Sequence, residues 1–302
     1  MQYFIQYLLL FITICCQSSQ DFFIKTFKES DRSHLTFDAN IRFCAVSSGF
    51  EFVVLMLVWA LFDRGPFFHL PTAGYSVIFG IAFAGATLFT LLAIAEGSLA
   101  LSGLVISYSL LMPTTWSIIF DGSDVYKHWQ FIVGIVLLCL SLFLIRGKDD
   151  EQGQKKITKR WIIYVILAFF SNGVCNIVMD VHQQSYPGQY RSAFLAMSMI
   201  VVVAVCAAVI LIRHSKNVRY VRKPLVICSS LNGTVNATAN LLLMTIIGAG
   251  LIPAAVMFPV MSAGQSIFCF LISFILFRER FTKNQYIGYF LGALSVVLLN
   301  MA

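Results

Sequence analysis

Apolar runs of 17–28 residues recur along this 302-residue chain, and they restrict its fold more than any other feature. A helix rises about 1.5 Å per residue, so each run is long enough to cross about 30 Å of hydrocarbon. Inside a bilayer the backbone polar groups have no water to bind, and a helix satisfies them within the same segment. The alternating ten-residue segments of a membrane β-barrel do not occur. The sequence therefore predicts an all-α integral membrane protein.

Composition supports this class. Only 12% of the residues are charged and 59% are hydrophobic, whereas soluble domains have about 25% charged residues. The formal charge of +7 comes from basic residues between the apolar runs. This distribution indicates membrane topology and no nucleic-acid partner. The eight cysteines form no CxxC pair, so we expect small packing residues, no metal site and no cofactor.

The apolar runs give ten predicted transmembrane helices. One long hydrophilic stretch, residues 146–160, divides them into two sets of five. We therefore predict a first five-helix repeat at 1–145, a linker at 146–160 and a second repeat at 161–302. An odd number of spans per repeat makes the two repeats inverted, as in many secondary transporters. The predicted spans are residues 2–20, 43–62, 72–95, 98–120, 129–145, 161–181, 192–212, 224–247, 250–277 and 285–301.

Weak self-similarity supports the repeat. The first helix is expected to continue past its span to about Lys25. Its residues Gln17, Asp21 and Lys25 correspond to Asn172, Asn176 and Asp180 in the sixth span at a common offset of 155. The last spans of the two halves also align, with Gly134 opposite Gly288, and each fourth span contains proline.

Two segments of the second half resemble the drug/metabolite transporter superfamily, in particular its EamA-like ten-helix branch. LIPAAVMFP at 251–259 is similar to the family's helix with an internal proline. ERFTKNQYIG at 279–288 is similar to its Glu-Arg turn and the helix that follows. The first half departs from the pattern, with FDGSDVYKHW at 120–129 in place of a Gly-Glu-Arg turn. The resemblance implies alternating-access transport of a small metabolite or drug and names no substrate.

Two charged residues, Glu51 and Asp180, lie within the predicted spans. A charged side chain at the bilayer centre costs at least about 2.5–3.5 kcal/mol on insertion scales, so such residues are usually functional. Glu51 falls near the middle of its span, and Ser47 and Ser48 share its helical face. Two interpretations stand for Glu51: a structural hydrogen bond to a neighbouring helix, or a role in binding substrate or coupling transport to protons. Asp180 lies at the end of its span, where water can reach it.

Two stripes of polar side chains predict a cavity. Asn172, Asn176 and Asp180 recur every fourth residue, and the same spacing places asparagines on one face of the eighth span. Buried amides need partners or water, so these faces line a cavity or hold helices together by hydrogen bonds. Candidate cavity residues are Glu51, Asn172, Asn176, Asp180, Asn232, Asn236, Asn240 and, more weakly, Tyr108, Trp116 and Gln265. Pro113, Pro253 and Pro259 are expected to interrupt helical hydrogen bonds in the fourth and ninth spans.

Together these features predict a secondary transporter that moves a small molecule through a central polar cavity, with protons or a counter-substrate as possible coupling partners. The alternatives are a membrane channel and an intramembrane enzyme. A channel usually needs a ring of like groups from symmetric subunits. No HExxH or GxSxG motif supports an enzyme. The expected location is the plasma membrane, with many passes, and the oligomeric state stays open.

Orientation gives the first testable prediction. Odd-numbered loops carry 18 Lys and Arg residues, whereas even-numbered loops and both tails carry 3. The positive-inside rule places the odd loops in the cytoplasm and both termini outside, although the family resemblance implies cytoplasmic termini. A C-terminal reporter that is active only in the cytoplasm should therefore stay silent, and the same reporter in the 146–160 loop should be active. A strong C-terminal signal would contradict the charge argument.

Overall fold

The structure is a computed structural model that describes residues 2–30, 36–97, 102–103, 105–106, 108–120, 129–145, 158–213, 223–276 and 282–300. These residues form helices and contain no strand, which confirms the all-α prediction. In chain order the helices are α1 (Gln2–Ser30), α2 (Phe37–Val58), α3 (Leu70–Glu96), α4 (Leu111–Phe120), α5 (Trp129–Ile145), α6 (Lys159–Ser185), α7 (Arg191–Ile212), α8 (Lys223–Ala249), α9 (Ala254–Ile275) and α10 (Lys283–Asn300).

By length and composition, 6 of the helices in the described residues can cross a membrane: α1, α2 with its π-helical extension Trp59–Asp63, α3, α6, α7 and the Ala254–Ile272 part of α9. The chain is therefore a multi-pass membrane protein. Ten spans and their arrangement as inverted repeats stay predictions.

The surface of this fold is more apolar than that of a soluble protein, and its interior contains polar side chains as well as an apolar core. Large apolar side chains face outward, for example Phe62 and Ile212, which are 77% and 79% exposed. Carboxyl and amide side chains lie inside, for example Glu51 and Asn232, which are 1% and 3% exposed. Lipid is as apolar as the outer residues, whereas buried polar groups must find partners within the bundle. The distribution fits a protein whose outer surface meets hydrocarbon.

Local sequence explains where several helices begin. Thr36 accepts a hydrogen bond from the backbone N–H of Ala39 at the start of α2. Thr158 does the same for Trp161 at the start of α6. Hydroxyl side chains are favoured there because they satisfy backbone donors that lack an intrahelical partner. Pro253 immediately precedes α9.

Several predicted boundaries differ from the structure. Helix α2, for example, begins at Phe37 and not at residue 43. The first span is predicted to end at residue 20 and its helix at about Lys25, whereas α1 continues to Ser30. The buried side chain of Phe27 packs against Phe43, with ring centroids 4.8 Å apart, and this contact holds the last turns in the bundle. The predicted ninth span begins at residue 250, whereas α9 begins at Ala254 because Gly250 has a positive φ of 63° and Pro253 is extended.

The helices of the two chain halves interleave. Helix α1 packs against α8 and α9, α2 against α7 and α8, α3 against α6 and α7, and α5 against α10. Glycine permits the closest of these approaches. A Cβ at Gly233 of α8 would lie 2.1 Å from the backbone oxygen of Ser47 on α2.

Substitution of Gly233 tests this packing. Gly233→Ala should lower the midpoint of thermal unfolding in detergent, because overpacking a tight contact costs about 1–3 kcal/mol. Gly49→Ala on α2 is the matched control, since a Cβ there meets no atom within 4 Å. Equal midpoints for the two variants would contradict the close α2–α8 contact.

Candidate functional site

A polar cavity lies between helices of both halves of the chain. The cavity has a volume of about 130 Å³, which is large enough for several water molecules. Side chains of α1, α2, α3, α6, α8 and α9 form its wall. The polar ones are Gln17, Ser18, Gln20, Asp21, Ser47, Ser48, Thr87, Thr90, Asn172, Asn176, Asn232, Asn236, Asn240 and Gln265.

Glu51 is held against one wall of this cavity by two asparagines of α8. Asn236 Nδ2 donates to Glu51 Oε2 over 2.9 Å, and Asn240 Nδ2 donates to Glu51 Oε1 over 3.1 Å. Asn240 Nδ2 also lies 3.3 Å from Asn236 Oδ1. Glu51 itself is 1% exposed and is not among the lining residues. The two asparagines therefore stand between the carboxyl group and the cavity.

Asn232 extends the same network by one helical turn. Its Oδ1 accepts a hydrogen bond from Ser47 Oγ over 2.9 Å, and its Nδ2 donates to the backbone oxygen of Gln20 over 3.3 Å. The asparagine stripe of α8 thus binds both α1 and α2. Each of its three residues lines the cavity and also holds a neighbouring side chain or backbone group, so cavity lining and helix packing are combined.

The stripe on α6 divides between two cavities. Asn172 Nδ2 donates to Ser109 Oγ over 2.7 Å, and Asn176 Nδ2 donates to the backbone oxygen of Asn172 over 2.8 Å. Both residues line the central cavity. Asp180 accepts from Gln184 Nε2 over 3.2 Å and lines a second cavity of about 350 Å³ with Ser117, Pro253 and Met257.

The weaker candidates are also divided. Gln265 on α9 lines the central cavity, and its side-chain amide donates to Gln17 Oε1. Tyr108 is not among the lining residues, because its hydroxyl donates to the backbone oxygen of Leu138 on α5 over 2.9 Å. Trp116 is not among them either and packs on Phe120, with ring centroids 4.2 Å apart.

The three prolines have different positions. Pro259 lies inside α9, as predicted for a helix-interrupting residue. Pro113 is the third residue of α4, which directly follows the 3₁₀ turn Tyr108–Leu110. Pro253 precedes the first residue of α9, so it breaks none of the hydrogen bonds of this helix.

Several cavity residues were not among the candidates. Thr87 and Thr90 of α3 and Gln20 of α1 line the wall, and their spacing alone did not distinguish them from other polar residues. Gln17 and Asp21 carried a signal, since both belong to the internal match with α6. Within the described residues, no group of three His, Cys, Asp or Glu side chains could hold a metal ion.

Comparison with known proteins shows a similar fold and does not show a function. One of the 28 solved chains that match superposes with a TM-score of 0.71 at 11% identity, covering 98% of this chain and 96% of that chain. It is described only as "Crystal structure of protein", and at this identity the similarity shows the fold alone. No family model matches the sequence.

A curated protein matches one part of the chain. It is the chitin synthase export chaperone of Neurospora crassa, 37% identical over 71 residues. The match covers 24% of this chain and 19% of that protein. A match of this extent assigns neither a family nor an activity to the chain.

Accessibility to a hydrophilic thiol reagent tests the cavity. In a variant without the native cysteines, Asn176→Cys, Asn236→Cys and Asn240→Cys should react, because these side chains line a space that water can fill. Ala237→Cys is the matched control, since Ala237 adjoins Asn236 on α8 but is 0% exposed. If all three cavity positions stay inert while cysteines in the loops react, the stripes only hold helices together.

Proposed function

We propose that the protein is a secondary transporter that moves a small metabolite or drug across the plasma membrane by alternating access. The observation that carries the proposal is the central cavity with many polar side chains, to which helices from both halves of the chain contribute. Transporters built from repeats bind their substrates at the repeat interface near the middle of the membrane. The motifs at 251–259 and 279–288 favour an EamA-like member of the drug/metabolite transporter superfamily.

Helix packing supports ten spans arranged as two inverted five-helix repeats, 1–145 and 161–302, joined by the 146–160 linker. An exchange of the first five helices with the last five pairs α1 with α6, α2 with α7 and α3 with α8. Under this exchange the α1–α8 contact becomes the α6–α3 contact. The same exchange maps the α2–α8 contact onto α7–α3, and it leaves the α5–α10 and α2–α7 contacts unchanged. All of these pairs are in contact. Such exchange symmetry is expected of a pseudo-two-fold bundle.

Side chains at matching positions of the two halves also line the same cavity. Gln17 and Asp21 of α1 and their internal matches Asn172 and Asn176 of α6 line one cavity. Gln17 bonds to Gln265 on the fourth helix of the second half. Its match Asn172 bonds to Ser109, in the 3₁₀ turn that precedes the fourth helix of the first half. Equivalent positions thus face the cavity from opposite halves.

Glu51 is the proposed proton-coupling residue. Both of its oxygens accept hydrogen bonds from asparagine amides, an arrangement suited to the charged carboxylate. A protonated carboxyl has one O–H that needs an acceptor, which Asn236 or Asn240 supplies if its amide turns to present Oδ1. Proton uptake would then reorient an amide that also lines the cavity, and this links the charge of Glu51 to the substrate wall.

Three other functions compete with transport. A channel would conduct without an alternating site, and an intramembrane enzyme would convert a solute. The partial match to an export chaperone favours a third function, assistance to the export of another protein. None of these three functions requires exchange of a solute across the bilayer, so an exchange assay separates them from transport.

Solute counterflow in proteoliposomes tests the proposal. Vesicles loaded with unlabelled solute should accelerate uptake of the same labelled solute, for at least one class among amines, amino acids, sugars and organic acids. Exchange-stimulated uptake requires a site that alternates between the two sides. Absence of counterflow for every class, with protein shown to be folded and inserted, would overturn transport.

Glu51→Gln tests the coupling role. Gln keeps the size of Glu and removes titration, so accumulation driven by a pH gradient should be lost while substrate exchange continues. Glu29→Gln is the control, because Glu29 is an exposed carboxyl at the end of α1, 58% exposed and paired with Lys25. Unchanged accumulation in Glu51→Gln would exclude the role, and loss of folding instead would favour a structural carboxyl that joins α2 to α8.

A further inference from the structure

The charged groups of the central cavity are unbalanced. Asp21 is its acidic lining residue, and no Lys, Arg or His side chain is among the described residues that form the wall. The second nearby carboxyl, Glu51, is shielded by Asn236 and Asn240. The cavity therefore presents one carboxylate among neutral amides and hydroxyls.

The surroundings of Asp21 satisfy its charge only weakly. Its side chain accepts a hydrogen bond from the Cys269 thiol of α9, and a thiol is a weak donor. Gly103 stands on another side, where an added Cβ would be 3.3 Å from Asp21 Oδ2, so glycine leaves space beside the carboxylate. Lys25, one turn further along α1, pairs with Glu29 at 3.9 Å. A carboxylate away from bulk water is costly unless a cation or several donors accompany it.

We propose that the cavity binds a small polar solute with an ammonium group, whose positive charge pairs with Asp21 while its other polar groups bind the asparagines of α6 and α8. This inference rests on the proposed transport function. The negative potential of an uncompensated carboxylate attracts cations and repels carboxylate or phosphate groups. Phe79, Phe83 and Met179 supply an apolar part of the wall, against which a short carbon skeleton can lie.

Three probes with the same three-carbon skeleton isolate the charge: 3-amino-1-propanol, 1,3-propanediol and 3-hydroxypropionate. Each has a hydroxyl at one end, and the other end is cationic, neutral or anionic. In proteoliposomes with wild-type protein, the amine should show counterflow and the anion should show none. In the variant without the native cysteines, the amine should also slow thiol labelling of Asn236→Cys, and the anion should not. Preference for the diol or the anion would overturn the inference.

Asp21→Asn should reduce counterflow of the amine about tenfold or more, the loss expected when one partner of a desolvated charge pair is removed. Counterflow of the diol should change less than about twofold. Glu29→Gln removes the same charge from an exposed position of the same helix and should leave the amine unaffected. An equal loss for amine and diol would assign Asp21 to folding or proton coupling and overturn the inference.

The outcomes separate the two proposals. Counterflow of sugars, organic acids or the diol without counterflow of any amine would refute the ammonium site and leave transport standing. No counterflow for any solute would refute transport itself. If Asp21→Asn does not fold, the wild-type comparison of the three probes decides, because it requires no variant at position 21.

Discussion

The hydrogen bonds between Glu51 and the asparagines of α8 join the two halves of the chain at a close contact between α2 and α8. A buried carboxyl group without donors would be too costly to retain inside a bilayer. Asn236 and Asn240 supply those donors, and Gly233 on the same helix allows the backbones of α2 and α8 to meet. Close packing and polar pairing therefore depend on each other, since the amides reach Glu51 only because the glycine leaves no side chain between the helices.

Much of this fold could be predicted from the sequence because the bilayer imposes simple rules. Apolar runs of sufficient length must be helical, and the positions of α3, α7 and α8 follow from them directly. The asparagine stripes were equally informative, since a four-residue period places their amides on one helical face. Asn172, Asn176, Asn232, Asn236 and Asn240 all line the central cavity. Periodicity identified which face was polar.

Periodicity could not identify what each polar face meets. Asp180 continues the stripe of Asn172 and Asn176, yet it lines the second cavity. Each four-residue step advances about 6 Å along the helix, and α6 passes from one cavity to the next within that distance. Tyr108 illustrates the same limit, because its hydroxyl meets the backbone oxygen of Leu138 across the bundle. Such partners depend on helix packing, which the spacing of residues within one helix does not contain.

The proposed inverted arrangement relates the positions of helices and leaves their side chains free to differ. If α1 and α6 are equivalent helices, they bring corresponding residues to one cavity from opposite halves, but the residues differ. Position 21 is an aspartate, whereas its match at position 176 is an asparagine, nearly equal in size and without charge. A symmetric pair of carboxylates would repel each other within a small cavity of low dielectric constant. A single carboxylate avoids that repulsion and makes one side of the cavity negative, an asymmetry that the proposed two-fold arrangement of helices alone would not produce.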